Sequence, residues 1–479
     1  MKFLSIPALA CAMTLGFGLA SAQTITPTRV GPVSQYGQLM TGKNSAGEGR
    51  IYGSCQGVKD GAEVQVRGMS LYWSLMPQAV EYWSEEGVST MVRDMNIQIV
   101  RAAMATGNED WSGEYNGQKL QGYGTNPTLQ KNLMKTVVEA AIKNDIYVII
   151  DWHSHEATSQ TDAAKGFFEE MAKTYGQYDN VIFEVFNEPT DIAWGNIKNY
   201  ANQVISTIRQ YSDNLVIVGT RSWDQHPEEV IGQEVNDSKK NTAYTLHYYA
   251  NSHCVSGNYD WGGSCEGANG EKAIKAGLSI FVSEWGTADA NGGGNPDQGK
   301  NSQWQTFINK YKLSWANWSA SYISEGTAAF ASGSNKNSLQ YTTSGNLVKG
   351  YLATNPTTYT ACATGGSQQG GQQQGGDQGG QQQGGDQGGQ QGGQQQGGQQ
   401  QAINSFVPAS ALSVSFSSKA LEISGVNAAD VELFDMKGHK LMKIDGVSGT
   451  LSLASLPQGM YMVKVSSGSA SKVQAISIK

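Results

Sequence analysis

The sequence predicts a (β/α)8 barrel followed by a tether and a small all-β domain, and three observations predict it. Eight short apolar segments rich in β-branched residues alternate with helix-like stretches before residue 365, the pattern of strands buried on both faces. Six of those segments end in polar or aromatic residues suited to chemistry. A stretch built almost only from Gly and Gln then separates them from a final segment that alternates apolar and polar residues.

The 479-residue chain is long enough for one large domain and a smaller one. Residues 1–22 read as an export signal. Lys2 supplies a positive start, residues 6–19 are apolar or small, and Ala20-Ser21-Ala22 is a small-residue cleavage site before Gln23. The apolar run is too short to span a bilayer, and it continues past Cys11, which argues against a lipid-anchored reading.

Residues 23–364 form the predicted barrel domain. Its strands are expected at 64–70, 97–101, 146–151, 181–186, 215–219, 242–248, 279–283 and 313–318. Helices are expected at 126–144, 161–175, 194–211 and 298–310; Leu129, Leu133, Val137 and Ala140 recur at helical spacing in the first of these. Eight β-then-α units indicate a closed barrel. An open doubly wound sheet would call for a Gly-rich phosphate turn after its first strand, and that turn reads Gly68-Met69-Ser70-Leu71-Tyr72-Trp73. Segment 365–401 contains only Ser367, Asp377 and Asp386 besides Gly and Gln. It cannot bury enough apolar surface to offset chain entropy, so it reads as a flexible linker. Residues 402–479 read as a small β-sandwich-like domain, with strands around Val431-Glu432-Leu433-Phe434-Asp435 and Tyr461-Met462-Val463-Lys464-Val465 and a turn at Lys437-Gly438-His439.

A net charge of −8 gives no basic footprint for nucleic acid and suits a neutral substrate. Beyond the signal segment lie Cys55, Cys254, Cys265 and Cys362. An even count in an exported chain suggests disulfides, and four cysteines allow three pairings. The favoured one staples the Gly-rich loop through Cys254–Cys265, leaving Cys55–Cys362 to tie the two ends of the barrel domain.

In a barrel, function sits where strands end at the C-terminal face. Arg101, Asp151-Trp152-His153, Asn187-Glu188-Pro189, His247-Tyr248-Tyr249, Glu284-Trp285-Gly286 and Trp318 all fall there. Two carboxylates in one mouth, Glu188 and Glu284, are the minimal apparatus for glycoside hydrolysis. One must be protonated to release the leaving oxygen, and the other must be ionised to attack; proximity drives their proton affinities apart. Each residue alone has a plainer reading: Arg101 as a structural ion-pair member, His153 as a core histidine, and Trp318 and Trp285 as packing. His153-x-His155 followed by Glu156 lacks a third metal ligand at a familiar spacing, so no metal is expected. His155, His226 and His253 are read as surface or loop residues.

At these motifs the sequence resembles the glycoside hydrolase family 5 endoglucanases. The matching segments are Arg101, Asp151-Trp152-His153, Phe186-Asn187-Glu188-Pro189, His247-x-Tyr249, Ser283-Glu284-Trp285-Gly286 and Trp315-Ala316-Asn317-Trp318-Ser319, and the likeness covers about residues 40–351. The resemblance implies Glu188 as general acid and then base, with Glu284 as nucleophile. It also implies that Asn187 binds the sugar 2-OH and that Arg101 and Tyr249 hold Glu284. His153 and His247 would bind sugar hydroxyls or support Glu188, and Trp318 would lie under the cleaved sugar. The chain departs from the pattern at two places. Tyr72 and Trp73 stand near where many relatives have a His, and Ile323 stands where a Lys is common, although Glu325 is retained.

The final domain resembles sorting domains of a Gram-negative secretion route, through Glu432-Leu433-Phe434-Asp435-Met436-Lys437-Gly438 and Leu456-Pro457-Gln458-Gly459-Met460-Tyr461. The competing reading is a carbohydrate-binding module, against which stands a domain with no Trp and the single tyrosine Tyr461. The resulting expectation is a secreted or cell-surface endo-β-1,4-glucanase. It would act on β-glucan, need no cofactor, engage secretion machinery through its last domain, bind no nucleic acid and work as a monomer. Mannan, mixed-linkage glucan or xyloglucan as substrate, and a non-catalytic glucan-binding protein, are the alternatives.

Overall fold

The structure, a computed structural model, describes residues 24–55, 63–109, 113–260, 262–362 and, apart from positions 418, 427, 436–439, 458 and 468–469, residues 413–478. The expected signal segment, the Gly/Gln linker and the Lys437-Gly438-His439 turn lie outside the described residues.

Eight parallel strands form the barrel: β1 (Arg67–Leu71), β2 (Ile99–Ala105), β3 (Tyr147–His153), β4 (Val181–Glu184), β5 (Val216–Val218), β6 (Thr242–Thr245), β7 (Ile280–Gly286) and β8 (Trp315–Ala320). Each pairs with its sequence neighbours, and β8 returns to β1 with Trp315 opposite Arg67. Pairing of Tyr244 with Ile280 joins β6 to β7, so no edge remains. Among the described residues, seven helices of ten or more residues accompany the strands: α1 (Glu85–Met95), α2 (Pro127–Lys143), α3 (Thr161–Tyr175), α4 (Trp194–Ile208), α5 (Glu266–Lys275), α6 (Gln298–Tyr311) and α7 (Thr343–Leu352). Side chains of Ser84, Asn126, Asp297 and Thr342 accept from the backbone N–H three residues on, satisfying donors that the first turn leaves unpaired. Between β5 and β6 only short turns, Arg221–Asp224 and Pro227–Val230, replace a long helix.

Strand periodicity explains where the site sits. Alternate residues point outward, where Val100, Ala102, Val148, Ile150, Phe183, Val216 and Val282 pack into the main core with helix residues. The inward set changes character along the strands. Near the N-terminal end it is apolar: Ile99, Tyr147, Ile149, Ile182, Ile217, Ala243 and Phe281 form one cluster. Leu39 and Ile51, from the antiparallel hairpin of Leu39–Lys43 and Gly49–Gly53, join that cluster. Two residues further along the same inward faces stand Arg101, Asp151, Glu184, Thr245 and Ser283, all fully buried. The apolar plug supports a charged upper storey.

Two disulfides are present, Cys254–Cys265 and Cys55–Cys362; the second joins positions 307 residues apart. The C-terminal domain contains a three-stranded antiparallel sheet (Ser413–Ser417, Ala420–Ser424, Gly449–Ser452) and a four-stranded one (Ala429–Asp435, Lys440–Val447, Gly459–Ser467, Ala470–Ile478). Leu421 and Ile423 of the first share a core with Val431, Leu433, Val463 and Val465 of the second, a sandwich arrangement.

Candidate active site

The charged storey is organised by Arg101, whose guanidinium is wholly buried at the centre of β2. Its Nε donates to Glu184 Oε2 at 2.6 Å, Nη1 to Glu284 Oε2 at 2.7 Å and Nη2 to Asn187 Oδ1 at 2.5 Å, with Asp151 Oδ2 2.9 Å from Nη2. An arginine only donates, so it fixes the Asn187 amide with its oxygen inward. That leaves Asn187 Nδ2 buried with no partner among the described residues, a donor reserved for something outside the protein.

Glu284, at the end of β7, is 3% exposed. Its second oxygen, Oε1, accepts from the Tyr249 hydroxyl at 2.7 Å. Both oxygens are therefore engaged as acceptors, the arrangement a carboxylate requires. Glu188 follows β4. Its Oε2 lies 3.2 Å from His155 Nε2 and its Oε1 2.9 Å from His247 Nδ1. Burial opposes the charge on Glu188, but these two histidines outweigh it and hold the group below the ordinary carboxylate range. One oxygen of Glu188, one of Glu284 and a nitrogen of His247 all lie within 4.8 Å of one another.

His247 continues from β6 and is buried. Burial disfavours its charged form, yet Asp224, Glu188 and Glu284 together raise it to about 9. Its Nε2 meets Ser283 Oγ at 2.9 Å, and Ser283 in turn donates to Glu184 Oε1. His153, at the end of β3, is different: burial, with Arg101 adding to it, lowers its value to about 3, so the ring is neutral. Its Nδ1 bonds Asp151 Oδ2 at 2.8 Å, not Glu188, and its ring lies parallel to Trp318 with centroids 5.4 Å apart. Asp151 is raised to about 7 by burial, against the lowering effect of Arg101.

Trp318 lies at the end of β8, and the Trp318–Ser319 peptide is cis. Tyr72 packs on it at 4.7 Å between ring centroids and donates to Glu325 Oε1 at 2.9 Å. Burial, together with the charge on Glu284, raises Glu325 to about 7. Trp73 meets His153 edge-on at 5.6 Å.

Arg101, His153, Asn187, Glu188, His247, Tyr249, Glu284, Trp318, Tyr72 and Trp73 thus converge on one mouth. His155 and His253 lie in loops, as read, but they make contacts the sequence did not show: His155 touches Glu188, and His253 Nδ1 accepts from the Tyr249 backbone N–H at 2.9 Å. Glu184, Ser283 and Asp224 went unnoticed as site residues. The first two carried a signal: a buried charge or hydroxyl inside an apolar parallel strand. Two groups among the described residues bring three ligand-type atoms together: Glu188, His247 and Glu284, and His226, Glu228 and Glu229. The first is the carboxylate pair itself. His153 and His155 do not converge, since each turns to a different carboxylate.

With this geometry in hand, residues 58–324 match the family described as Cellulase (glycosyl hydrolase family 5), and residues 410–479 match the Secretion system C-terminal sorting domain. Endoglucanase Z of Dickeya dadantii is 39% identical over 292 residues, 60% of this chain and 62% of that protein. An endoglucanase of Clostridium saccharobutylicum is 35% identical over 342 residues, 68% of this chain and 69% of the relative. The chain therefore spans about two thirds of the length of these relatives. Among solved structures, the catalytic domain of Thermobifida fusca endoglucanase Cel5A in complex with cellotetraose is 27% identical with a TM-score of 0.56, covering 68% of this chain and all of that one.

Proposed function

This chain belongs to glycosyl hydrolase family 5, and on that premise we propose that it is an exported endo-β-1,4-glucanase working by retaining double displacement. The observation that carries the reading is the carboxylate pair, with oxygens of Glu188 and Glu284 within 4.8 Å. Retaining enzymes hold their carboxyl groups roughly 5–5.5 Å apart, whereas inverting enzymes leave room for a water between them.

Glu284 is the nucleophile. Arg101 and Tyr249 aim its carboxylate, which bonds to the anomeric carbon while the glycosidic C–O bond breaks. Glu188, held below the ordinary carboxylate range before substrate binds, must first gain a proton; it gives that proton to the departing oxygen, then takes one from the water that releases the sugar. The unpartnered Asn187 Nδ2 donates to the sugar 2-OH, and Trp318 offers its face beneath the ring at the cleavage point. His153, neutral and with Nδ1 committed to Asp151, presents Nε2 as an acceptor for a hydroxyl. Tyr72, Trp73 and Glu325 line the side of Trp318 and set the contacts of the neighbouring sugar. His247, expected to bind a sugar hydroxyl or support Glu188, and His155, of which no role was expected, both touch Glu188 and support it.

The C-terminal sorting domain indicates export to the cell surface or beyond. Its single tyrosine supports sorting over glucan binding, because Tyr461 is buried and donates to the Pro457 carbonyl at 2.9 Å, leaving no exposed tyrosine platform.

Proton NMR of cellotetraose hydrolysis tests the mechanism: the first-formed anomer should be β, and an α product would overturn retention. A reducing-sugar assay over carboxymethylcellulose, barley glucan and mannan tests the substrate, with carboxymethylcellulose and barley glucan expected to exceed mannan.

A further inference from the structure

Beneath His247 lies a group that the double-displacement scheme leaves unused. Asp224 follows β5 and is fully buried. Its Oδ1 accepts from the Thr220 backbone N–H. Its Oδ2 makes no hydrogen bond among the described residues, yet sits 3.2 Å from His247 Nδ1. That same Nδ1 bonds Glu188 Oε1 at 2.9 Å. One ring nitrogen thus faces two carboxylates.

The backbone goes to unusual lengths to put Asp224 there. Ser222, Trp223 and Asp224 all have positive φ, at 53°, 56° and 62°. This left-handed region is disfavoured for Ser and Trp and better tolerated by Asp, and strain of this kind persists where the surroundings over-determine it. The Asp224 carbonyl accepts from the His247 backbone N–H at 3.0 Å, locking the turn to the end of β6. Gly219 clears the path. A Cβ there would lie 2.5 Å from the Phe186 carbonyl oxygen and 3.1 Å from Asp224 Oδ1.

The tautomer follows from the other side of the ring. Ser283 has one hydrogen and gives it to Glu184 Oε1, so its oxygen accepts from His247 Nε2–H. Nε2 keeps its proton, and exchange is confined to Nδ1. Groups facing or near the ring are Glu184 and Glu188 from β4 and its loop, Asp224 from the β5 turn, and Glu284 from β7. Arg101 on β2, Asp151 on β3 and His155 beyond it complete the charges around them.

We propose that Asp224 is a positioning residue for the acid step, holding a proton on the Glu188–His247 pair so that Glu188 can be recharged through His247. In that step the His247 Nδ1–H bond breaks, the proton forms an O–H bond on Glu188 Oε1, and the ring becomes the neutral Nε2–H form. Burial pushes the Asp224 carboxyl well above its ordinary range, with His247 opposing that. A carboxyl with high proton affinity of its own therefore lies 3.2 Å from Nδ1, and the cluster of Asp224, His247 and Glu188 holds the proton together more tightly than the Glu188–His247 pair alone. The inference rests on Glu188 being the acid/base.

Asp224→Asn keeps the shape and removes the titrating carboxyl. The alkaline limb of kcat/KM on cellotetraose should move to lower pH by at least about one unit, with kcat falling roughly tenfold, because the shared proton is lost earlier. Hydrolysis of an aryl cellobioside with a good leaving group should change less than about twofold, since its glycosylation needs little acid help. Asp224→Glu should recover part of the shift. A merely structural aspartate would lower both substrates alike with the pH profile unmoved, and that result overturns the proposal. Should the variants fail to fold, nitrogen-15 NMR of the histidine-labelled parent decides: His247 should keep both ring protons past pH 8, and titration near the ordinary ~6.5 overturns the inference. If Glu188→Ala hydrolyses cellotetraose normally, the function proposed above fails with it. If Glu188→Ala is impaired but the Asp224→Asn profile stays in place, only the role of Asp224 fails.

Discussion

Glu284 lies between Arg101 and Tyr249, whereas Glu188 lies between His155 and His247. The partners of Glu284 are donors that keep their protons at any working pH, since arginine does not titrate there and burial raises Tyr249 far above its ordinary value. The partners of Glu188 are histidines, the side chains whose charge changes most easily near neutrality. Two glutamates on one barrel mouth are thereby given different freedoms. On the proposed mechanism one is clamped for attack, and the other sits where protons can be exchanged. Residue type cannot make that distinction, but the company each glutamate keeps can.

The largest way to break the comparison is at the clamped side. Glu284→Ala should lower kcat on cellotetraose by more than about 10⁴-fold, beyond the usual reach of a single proton-transfer group, with an unchanged circular dichroism spectrum. On the exchanging side, Glu188→Ala should cost about 10²–10⁴-fold on the same substrate. An aryl cellobioside should still glycosylate that variant, and azide should rescue its turnover. Loss on both substrates without rescue would put the two glutamates in the same role and erase the distinction.

Arg101 sharpens the comparison through stability. Arg101→Met leaves Asp151 and Glu184 buried without their cation. It should destabilise the barrel by about 3–5 kcal/mol in urea unfolding, the usual cost of removing one partner from a buried ion pair. Tyr249→Phe removes a single donor from Glu284 and should cost about 1–3 kcal/mol of transition-state stabilisation, roughly tenfold or more in kcat.

The smallest effect is on pH-dependent stability. His247 is raised to about 9 because Asp224, Glu188 and Glu284 together outweigh the opposing effect of burial. Its folded value exceeds its ordinary one, so the stability it contributes is complete below about pH 6.5 and lost as pH rises towards 9. The melting temperature should therefore decline over that window, and decline less steeply in His247→Asn.

Much of this was legible before any coordinates. Strands β3 and β4 were found because their apolar runs are short and continuous, and α3 at Thr161–Tyr175 matches its expected span. Helix α4 ends at Ile208, three residues earlier than read. Helices α1, α5 and α7 were not foreseen. Each has only 10 or 11 residues, against 14–17 for the four that were read, so its apolar spacing repeats too few times to stand out. Glycines such as Gly267 and Gly270 of α5 weaken helix propensity further. Tertiary packing overrides that: a Cβ on Gly267 would lie 2.2 Å from the Val255 carbonyl oxygen, so the glycine is kept for close approach. The Arg221–Asp224 turn left no trace in the sequence, since none of its residues is a usual left-handed one apart from Asp224.

The sequence by itself determined the barrel, and it named the two glutamates whose oxygens the structure brings within 4.8 Å of each other. Periodicity and strand-end chemistry are local, and they repeat eight times. The resemblance already implied that Arg101 and Tyr249 hold Glu284; only the tertiary structure supplied the distances and the second histidine, His155, beside Glu188. It alone turned His155 towards Glu188, Asn187 Nδ2 away from Arg101, and a strained Asp224 beneath His247. Proton affinity and hydrogen-bond direction depend on what lies within about 3 Å. Those neighbours come from strands far apart in the chain, which only the closed barrel brings together.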